Sequence, residues 1–150
     1  MIAILQRVSS ASVSVEGKIT GKCGEGYAIL FGVAVGDTEK EADFLAQKIA
    51  KLRVFRDEND KMNLSINDVG GSCVVVSQFT LLADCSHGNR PSFFDAAPPT
   101  VSEGLYEYFV RKLDSLIKGT VECGVFGADM QYEIHNQGPV TIVLDTKQLC

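Results

Sequence analysis

Two segments of this sequence repeat apolar residues at helical spacing, and the stretches before, between and after them alternate or run apolar as strands do. That arrangement confines the chain to a mixed α and β architecture. The first helical segment opens with Thr38-Glu39-Lys40-Glu41, a capping box, and continues with Ala42, Leu45, Ile49 and Leu52. It predicts a helix ending near Leu52. The second follows Pro98-Pro99, where Thr100-Val101-Ser102-Glu103 has the form of another capping box and Val101, Leu105, Phe109, Leu113 and Leu116 would face the core. Strands are expected at Ile2 to Val8, Ser12 to Val15 and Tyr27 to Val33, with a hairpin joining Val54-Phe55 to Met62-Leu64 across the polar turn Asp57-Glu58-Asn59-Asp60. A β-rich run from Cys73 to Leu82 leads into a long patternless loop, Asp84 to Pro99. Three further strands are expected near Val121 to Phe126, Met130 to His135 and Val140 to Leu144. The expectation is an α+β fold with a largely antiparallel, barrel-like sheet and two main helices.

No linker, low-complexity tract or fixed-period repeat divides residues 1–150, so one compact domain is expected. A chain of this length buries roughly two-thirds of the surface its unfolded form exposes and needs no disulfide or metal to hold a core. The five cysteines, at 23, 73, 85, 123 and 150, include no C-x-x-C pair and read as reduced thiols; Cys150 suggests no role. The apolar stretch Gly26 to Gly36 is far shorter than the roughly 20 residues of a membrane helix, and the first residues lack the basic leader of a secretory signal. A cytoplasmic location is the expectation. A formal net charge of -5 argues against binding nucleic acid through a broadly basic surface, while leaving room for a local basic site.

Conventional catalytic apparatus is scarce. There are only two histidines, His87 and His135, and neither sits in a G-x-S-x-G pattern; Walker and G-x-G-x-x-G motifs are missing, and no ligand cluster suggests a metal. His135, on an expected strand, reads as structural or exposed. His87, beside Gly88-Asn89-Arg90 in the long loop, reads equally as a phosphate contact or a solvated residue. Two segments are harder to explain as packing. Ser77-Gln78-Phe79-Thr80 closes an apolar run, Cys73-Val74-Val75-Val76, with three polar side chains and an aromatic. A bend whose hydroxyls satisfy the backbone is the plainer reading. Asn136-Gln137-Gly138-Pro139-Val140-Thr141 ordinarily means a turn between two strands, though proline also permits a cis peptide.

These two segments resemble the signature motifs of the D-aminoacyl-tRNA deacylase family, also called D-tyrosyl-tRNA deacylases. Gln6-Arg7-Val8, Ala11-Ser12-Val13, Gly36-Asp37-Thr38, Lys61-Met62-Asn63-Leu64-Ser65, Arg90-Pro91-Ser92-Phe93 and Phe126-Gly127-Ala128-Asp129-Met130 follow in the family's order. The resemblance implies hydrolysis of the ester joining a D-amino acid, or glycine, to the terminal ribose of tRNA. It implies a homodimer in which Gly138 and Pro139, joined by a cis peptide, enter the partner's site and exclude L side chains, with Arg7 orienting their carbonyls. It assigns the ester chemistry to Ser77, Gln78, Phe79 and Thr80, and an adenosine pocket to Phe126 and Met130. Plain core packing is the other reading of that last pair.

The resemblance implies no cofactor or metal, no membrane and no DNA partner. Thr80 can be read as a nucleophile, but the motif offers it no base, which favours water attack assisted by the substrate's ribose hydroxyl. Many bacterial members carry a basic pair where this chain has Cys85-Ser86-His87-Gly88-Asn89-Arg90. The densest basic cluster here is instead Lys48, Lys51, Arg53 and Arg56, a candidate contact for the acceptor stem or simply a solvated helix flank. A non-catalytic RNA or nucleotide-binding module and a general esterase using Thr80 are the competing readings.

Overall fold

The computed structural model describes residues 1–150. In chain order the elements are β1 (Ile2–Val15), β2 (Lys18–Cys23), β3 (Gly26–Gly32), α1 (Glu39–Lys51), β4 (Arg53–Arg56), β5 (Met62–Ser65) and α2 (Ile66–Val69). There follow β6 (Ser72–Ser77), a 3-10 turn (Phe79–Leu82), α3 (Pro99–Leu116), β7 (Val121–Cys123), β8 (Gln131–Asp145) and α4 (Thr146–Leu149). No helix is long and apolar enough to cross a membrane.

Strand β1 organises the sheet. It runs through the expected break at Ser9 to Ala11 as one 14-residue strand. One edge pairs antiparallel with β3 through Ile2 to Val8 and with β2 through Ala11 to Val15; β8 takes the other edge. The β1–β2 reversal is a two-residue turn at Glu16 and Gly17, both with positive φ, the hand that matches strand twist. Beyond β3 the pairing changes direction: β3–β6 and β6–β7 are parallel, so the expected antiparallel sheet is mixed. β7 then returns to β2. The Lys22 amide donates to the Glu122 carboxylate at 2.6 Å, and a Cβ on Gly21 would lie 2.8 Å from the Cys123 carbonyl oxygen. A glycine is needed for that approach, and the sheet is nearly closed.

The main core lies between this sheet and the two long helices. Leu5, Ile29 and Phe31 of the sheet meet Leu45 and Ile49 of α1 and Phe109 and Leu113 of α3, all essentially without solvent contact. Phe31 and Phe109 stack at 4.1 Å between ring centres. Burying side chains of this size contributes roughly 1.5–3 kcal/mol each. Inside the barrel a smaller cluster of Val8, Val13, Ala28, Val74 and Val76 fills the lumen. The five cysteines are free; burial pushes the Cys23 thiol up to about 11 and raises Cys73 further, while Cys85 and Cys150 are exposed.

Several expectations are corrected. The two expected strands Met130 to His135 and Val140 to Leu144 merge into one strand, β8, which starts at Gln131, because both halves pair with β1 and the chain never reverses at Gly138-Pro139. The run from Cys73 leaves the sheet at Ser77, and β7 ends at Cys123, leaving Phe126 in the following turn. The second capping box does not form. Helix α3 starts at Pro99 with Pro98 at its cap and no side-chain cap; proline at the first position costs nothing because its missing N–H has no helical acceptor. Its core residues are Tyr106, Phe109 and Leu113, whereas Val101 is 47% exposed and Leu105 and Leu116 are half-buried. The first turn of α3 rims a cavity instead of packing.

The first capping box is as expected: the Thr38 amide donates to the Glu41 carboxylate at 2.7 Å, and the Thr38 hydroxyl accepts from the helix start. The Thr38 hydroxyl and the Thr38 amide both donate to the Glu41 carboxylate, each at 2.7 Å, and hold that carboxyl below its ordinary value of 4.5. A depressed folded-state value means stability present above about pH 4.5 and lost as pH falls through the folded value. Thr38→Ala is expected to cost about 1 kcal/mol, or ~2–4 °C in Tm, at neutral pH, and the gap from the parent should narrow in acid. Thermal melts of both proteins at pH 7 and pH ~3 check this.

Candidate functional site

Strands β3 and β6 run in parallel and end side by side, and beyond their carboxyl ends lies a cavity of about 600 Å³. That volume suits a nucleoside-sized ligand. Its walls come from the ends of β3 and β6, the 3-10 turn, the segment Ala96–Pro99, the start of α3, and Phe126, Gly127, Ala128, Met130 and Tyr132. Six of the chain's eight Phe and four Tyr line it: Phe31, Phe79, Phe93, Tyr106, Phe126 and Tyr132. The rings are fixed. Tyr106 and Tyr132 donate their hydroxyls to the carbonyls of Val75 and Val74, each at 2.8 Å, and burial raises both phenols well above their ordinary range. Phe126 packs on Tyr106 at 5.9 Å, and Phe79 meets Phe93 edge-on at 5.0 Å.

No lining side chain carries a charge. The polar groups are those of Ser77, Gln78, Ser102 and the anchored tyrosines, so the walls offer no carboxylate, lysine or histidine for acid–base work. His87 and His135 are exposed and lie outside the cavity. Gln78 is the hinge between β6 and the 3-10 turn. Its amide is taken by the Phe31 carbonyl at 2.8 Å, and its side-chain amide donates to the Thr80 hydroxyl. The start of that turn leaves the N–H groups of Phe79 and Thr80 without acceptors inside the turn itself. Thr80 is exposed at the rim, and Gln78 is its side-chain partner.

The structure therefore brings together Ser77, Gln78, Phe79, Phe126 and Met130, with Thr80 at the edge. It does not bring in Arg7, Gly138 or Pro139, which sit across the sheet. There the β1–β8 ladder jumps from Val8↔Asn136 to Gln6↔Thr141, so four residues, Gln137 to Val140, bulge out opposite Arg7 alone. The Asn136 side-chain amide closes the bulge, donating to the carbonyls of Arg7 and Val140, each at 3.0 Å. Arg7 is only 3% exposed and lies beneath: its Nη1 donates to the Val54 carbonyl at 2.7 Å and its Nε to the Gln137 carbonyl at 3.3 Å. Gly138 and Pro139 stand exposed above it, joined by a cis peptide.

The family described as D-Tyr-tRNA(Tyr) deacylase matches residues 4–145. The chain belongs to that family. It is 54% identical over 149 residues to a D-aminoacyl-tRNA deacylase of Koribacter versatilis (strain Ellin345), covering 99% of each chain. It is 52% identical to one of Desulfatibacillum aliphaticivorans, covering 98% of this chain and all of that one. The solved structure of a c-Myc DNA Unwinding Element Binding Protein superposes with a TM-score of 0.90 at 41% identity, covering 97% of this chain and 99% of that one.

Three walls of the deacylase-family cavity escaped the sequence reading of site residues: Tyr106, Tyr132 and the segment Ala96–Pro99. Tyr106 and Tyr132 sat in regular helix and strand patterns. The loop segment joins through Ala97 N donating to Val33 O and Val35 N to Asp95 O, both at 2.9 Å, pairings no local pattern announces.

Gly138 has φ +118, and a Cβ there would lie 2.8 Å from Arg7 Nη2. Gly138→Ala must distort the backbone or push the guanidinium off its carbonyls, at a cost of about 1–3 kcal/mol. Denaturant unfolding of the variant should show that loss, and unchanged stability would contradict the described packing of Arg7 beneath the bulge.

Proposed function

We propose that the protein is a D-aminoacyl-tRNA deacylase that acts as a homodimer on the aminoacylated 3′ end of tRNA, releasing free D-amino acid, or glycine, from the ribose ester. The observation that carries this reading is the aromatic, uncharged cavity beside the two free N–H groups of the 3-10 turn. Adenine is a flat apolar base that stacks on such rings, at about 1–3 kcal/mol per base, and Phe126 with Met130 forms the matching wall. The ester carbonyl then reaches the rim. Its developing oxyanion is met by the N–H groups of Phe79 and Thr80, donors worth about 3–4 kcal/mol each in well-organised hydrolases.

The nucleophile is water, activated by the neighbouring ribose hydroxyl of the substrate. Thr80 has a hydrogen-bond partner but no base: Gln78 donates to its oxygen and cannot remove its proton. Gln78 and Thr80 therefore position, and the tRNA supplies the proton acceptor.

Chirality is selected by exclusion. The exposed Gly138-Pro139 bulge of one subunit enters the other's cavity, and its backbone carbonyls occupy the side on which an L side chain would project. A D side chain points away, and glycine has none to reject. The location that goes with this activity is the cytoplasm, where aminoacyl-tRNA is found.

Incubation with matched D- and L-aminoacyl-tRNA and with a small ester tests the reading. The expected result is rapid release from the D substrate alone. Absence of release would mean a binding module, and release indifferent to chirality and to tRNA would mean a general esterase. Thr80→Ala should keep about a tenth or more of the single-turnover rate, a barrier change within ~1.4 kcal/mol; complete loss would make Thr80 the nucleophile. Pro139→Gly should admit the L substrate, and undiminished rejection would remove the bulge from the selection.

A further inference from the structure

A second concavity, of about 370 Å³, lies on the far end of α1, lined by Phe44, Gln47, Lys48, Lys51, Leu52 and Arg53. Three of its six residues are cations and none is a carboxylate. The surrounding charges explain why it stays positive. Lys112 is paired with Asp43 at 3.2 Å and Arg56 with Asp60 at 3.0 Å, so neither contributes a free cation and neither acid reaches across. Lys48 and Lys51 make no ion pair. Arg53 is held in place by its neighbour strand, its Nε donating to the Asn63 carbonyl at 2.7 Å. Arg53 makes no ion pair; Asp68, which it influences only at a distance, is hydrogen-bonded by the Ser65 amide at 2.8 Å. Lys48 and Lys51 lie in the last turn of α1, where they also face the negative end of the helix; in a chain of net charge -5, three cations around one groove lined by Phe44 and Leu52 make a local positive site that suits phosphate.

The groove is tied to the Gly138-Pro139 bulge through one buried side chain. Arg7 bonds the carbonyl of Val54, the residue after Arg53, and the carbonyl of Gln137, the residue before Gly138. Groove and bulge are thus fixed together on one subunit, away from that subunit's own aromatic cavity.

Building on the proposed dimer, we propose that the Lys48, Lys51 and Arg53 groove binds acceptor-stem phosphates of a tRNA whose aminoacyl end lies in the other subunit's cavity. A bulge that enters the partner's site carries the groove with it. Each active site is then built from one subunit's cavity and the other's selector and phosphate clamp. The uncharged cavity can stack adenine but cannot hold a polyanion, which leaves phosphate recognition to such a groove.

The test uses the double variant Lys48→Glu/Lys51→Glu in the full-length protein. On D-aminoacyl-tRNA it should lose about tenfold or more in affinity, and the slope of log affinity against log salt should fall by about 1–2. Unchanged affinity and slope would overturn the proposal while leaving D-selective deacylation intact, whereas a parent protein without D-selective release would overturn the functional reading itself. An equal loss on D-aminoacyl adenosine, which carries no phosphate, would also overturn it by pointing to a damaged cavity. Mixed dimers decide the arrangement across subunits: one subunit's cavity is blocked by Ala128→Trp, whose homodimer should be inactive because Ala128 lines the cavity. Placing the double variant on the blocked subunit should weaken tRNA turnover about tenfold or more, and placing it on the active subunit should not. The reverse pattern would overturn the placement.

Discussion

A single buried guanidinium holds the Gly138-Pro139 side of this fold in place. Arg7 sits on the strand that three others pair with, is almost fully removed from water, and has no carboxylate partner. A buried charge is tolerated only when its donors are satisfied, and here the acceptors are main-chain carbonyls of two distant segments. The energetic requirement becomes a geometric one. Satisfying Arg7 fixes where β4 lies under the sheet and where the chain must stand as it leaves Asn136, and Asn136 in turn seals the bulge by bonding the Arg7 carbonyl. The exposed Gly138-Pro139 segment thereby borrows rigidity from the core.

The cavity follows the opposite logic. It excludes charge, its phenols are tied to strand carbonyls and raised by burial, and its polar reach is limited to the hinge at Gln78 and the first N–H groups of a 3-10 turn. Such a site can orient and stabilise but cannot move protons at neutral pH. The proposed chemistry in it therefore relies on a substrate that brings its own proton acceptor. A ribose ester does so through its adjacent hydroxyl. Under the proposed function, an acidic protein acts on a polyanion through its stacked terminal base and a small basic groove, not through a broad positive field.

Much of this was legible in the sequence because it is local. The capping box at Thr38 and Glu41 formed as its spacing required, the helix it starts ended within a residue of Leu52, and the apolar run ending at Ser77 marked the site. What was not legible depends on pairing across the chain. Gly138-Pro139 has the composition of a turn, and only the fact that both flanking segments pair with β1 makes it a bulge in one strand. The phase of α3 was misjudged because Pro98-Pro99 start the helix without a side-chain cap and its first turn borders the cavity, so Val101 is released to solvent. Parallel pairing of β3, β6 and β7 has no local signature at all, and it is that pairing which sets two strand ends side by side to open the cavity.

The separation of the bulge from the cavity within one chain is itself informative. The rigid, exposed loop contributes no residue to its own chain's cavity, and selection by exclusion requires a rigid wall placed against the substrate's Cα substituents. Within a monomer the core stands between loop and cavity, and moving either would break the Arg7 contacts or the tyrosine anchors that give each its shape. In the proposed dimer, two copies facing one another would join the two parts without deforming either. Under that proposed arrangement rigidity would be conserved on both sides of the contact, and selection by collision would need it: a loop free to yield by an ångström would let an L side chain pass.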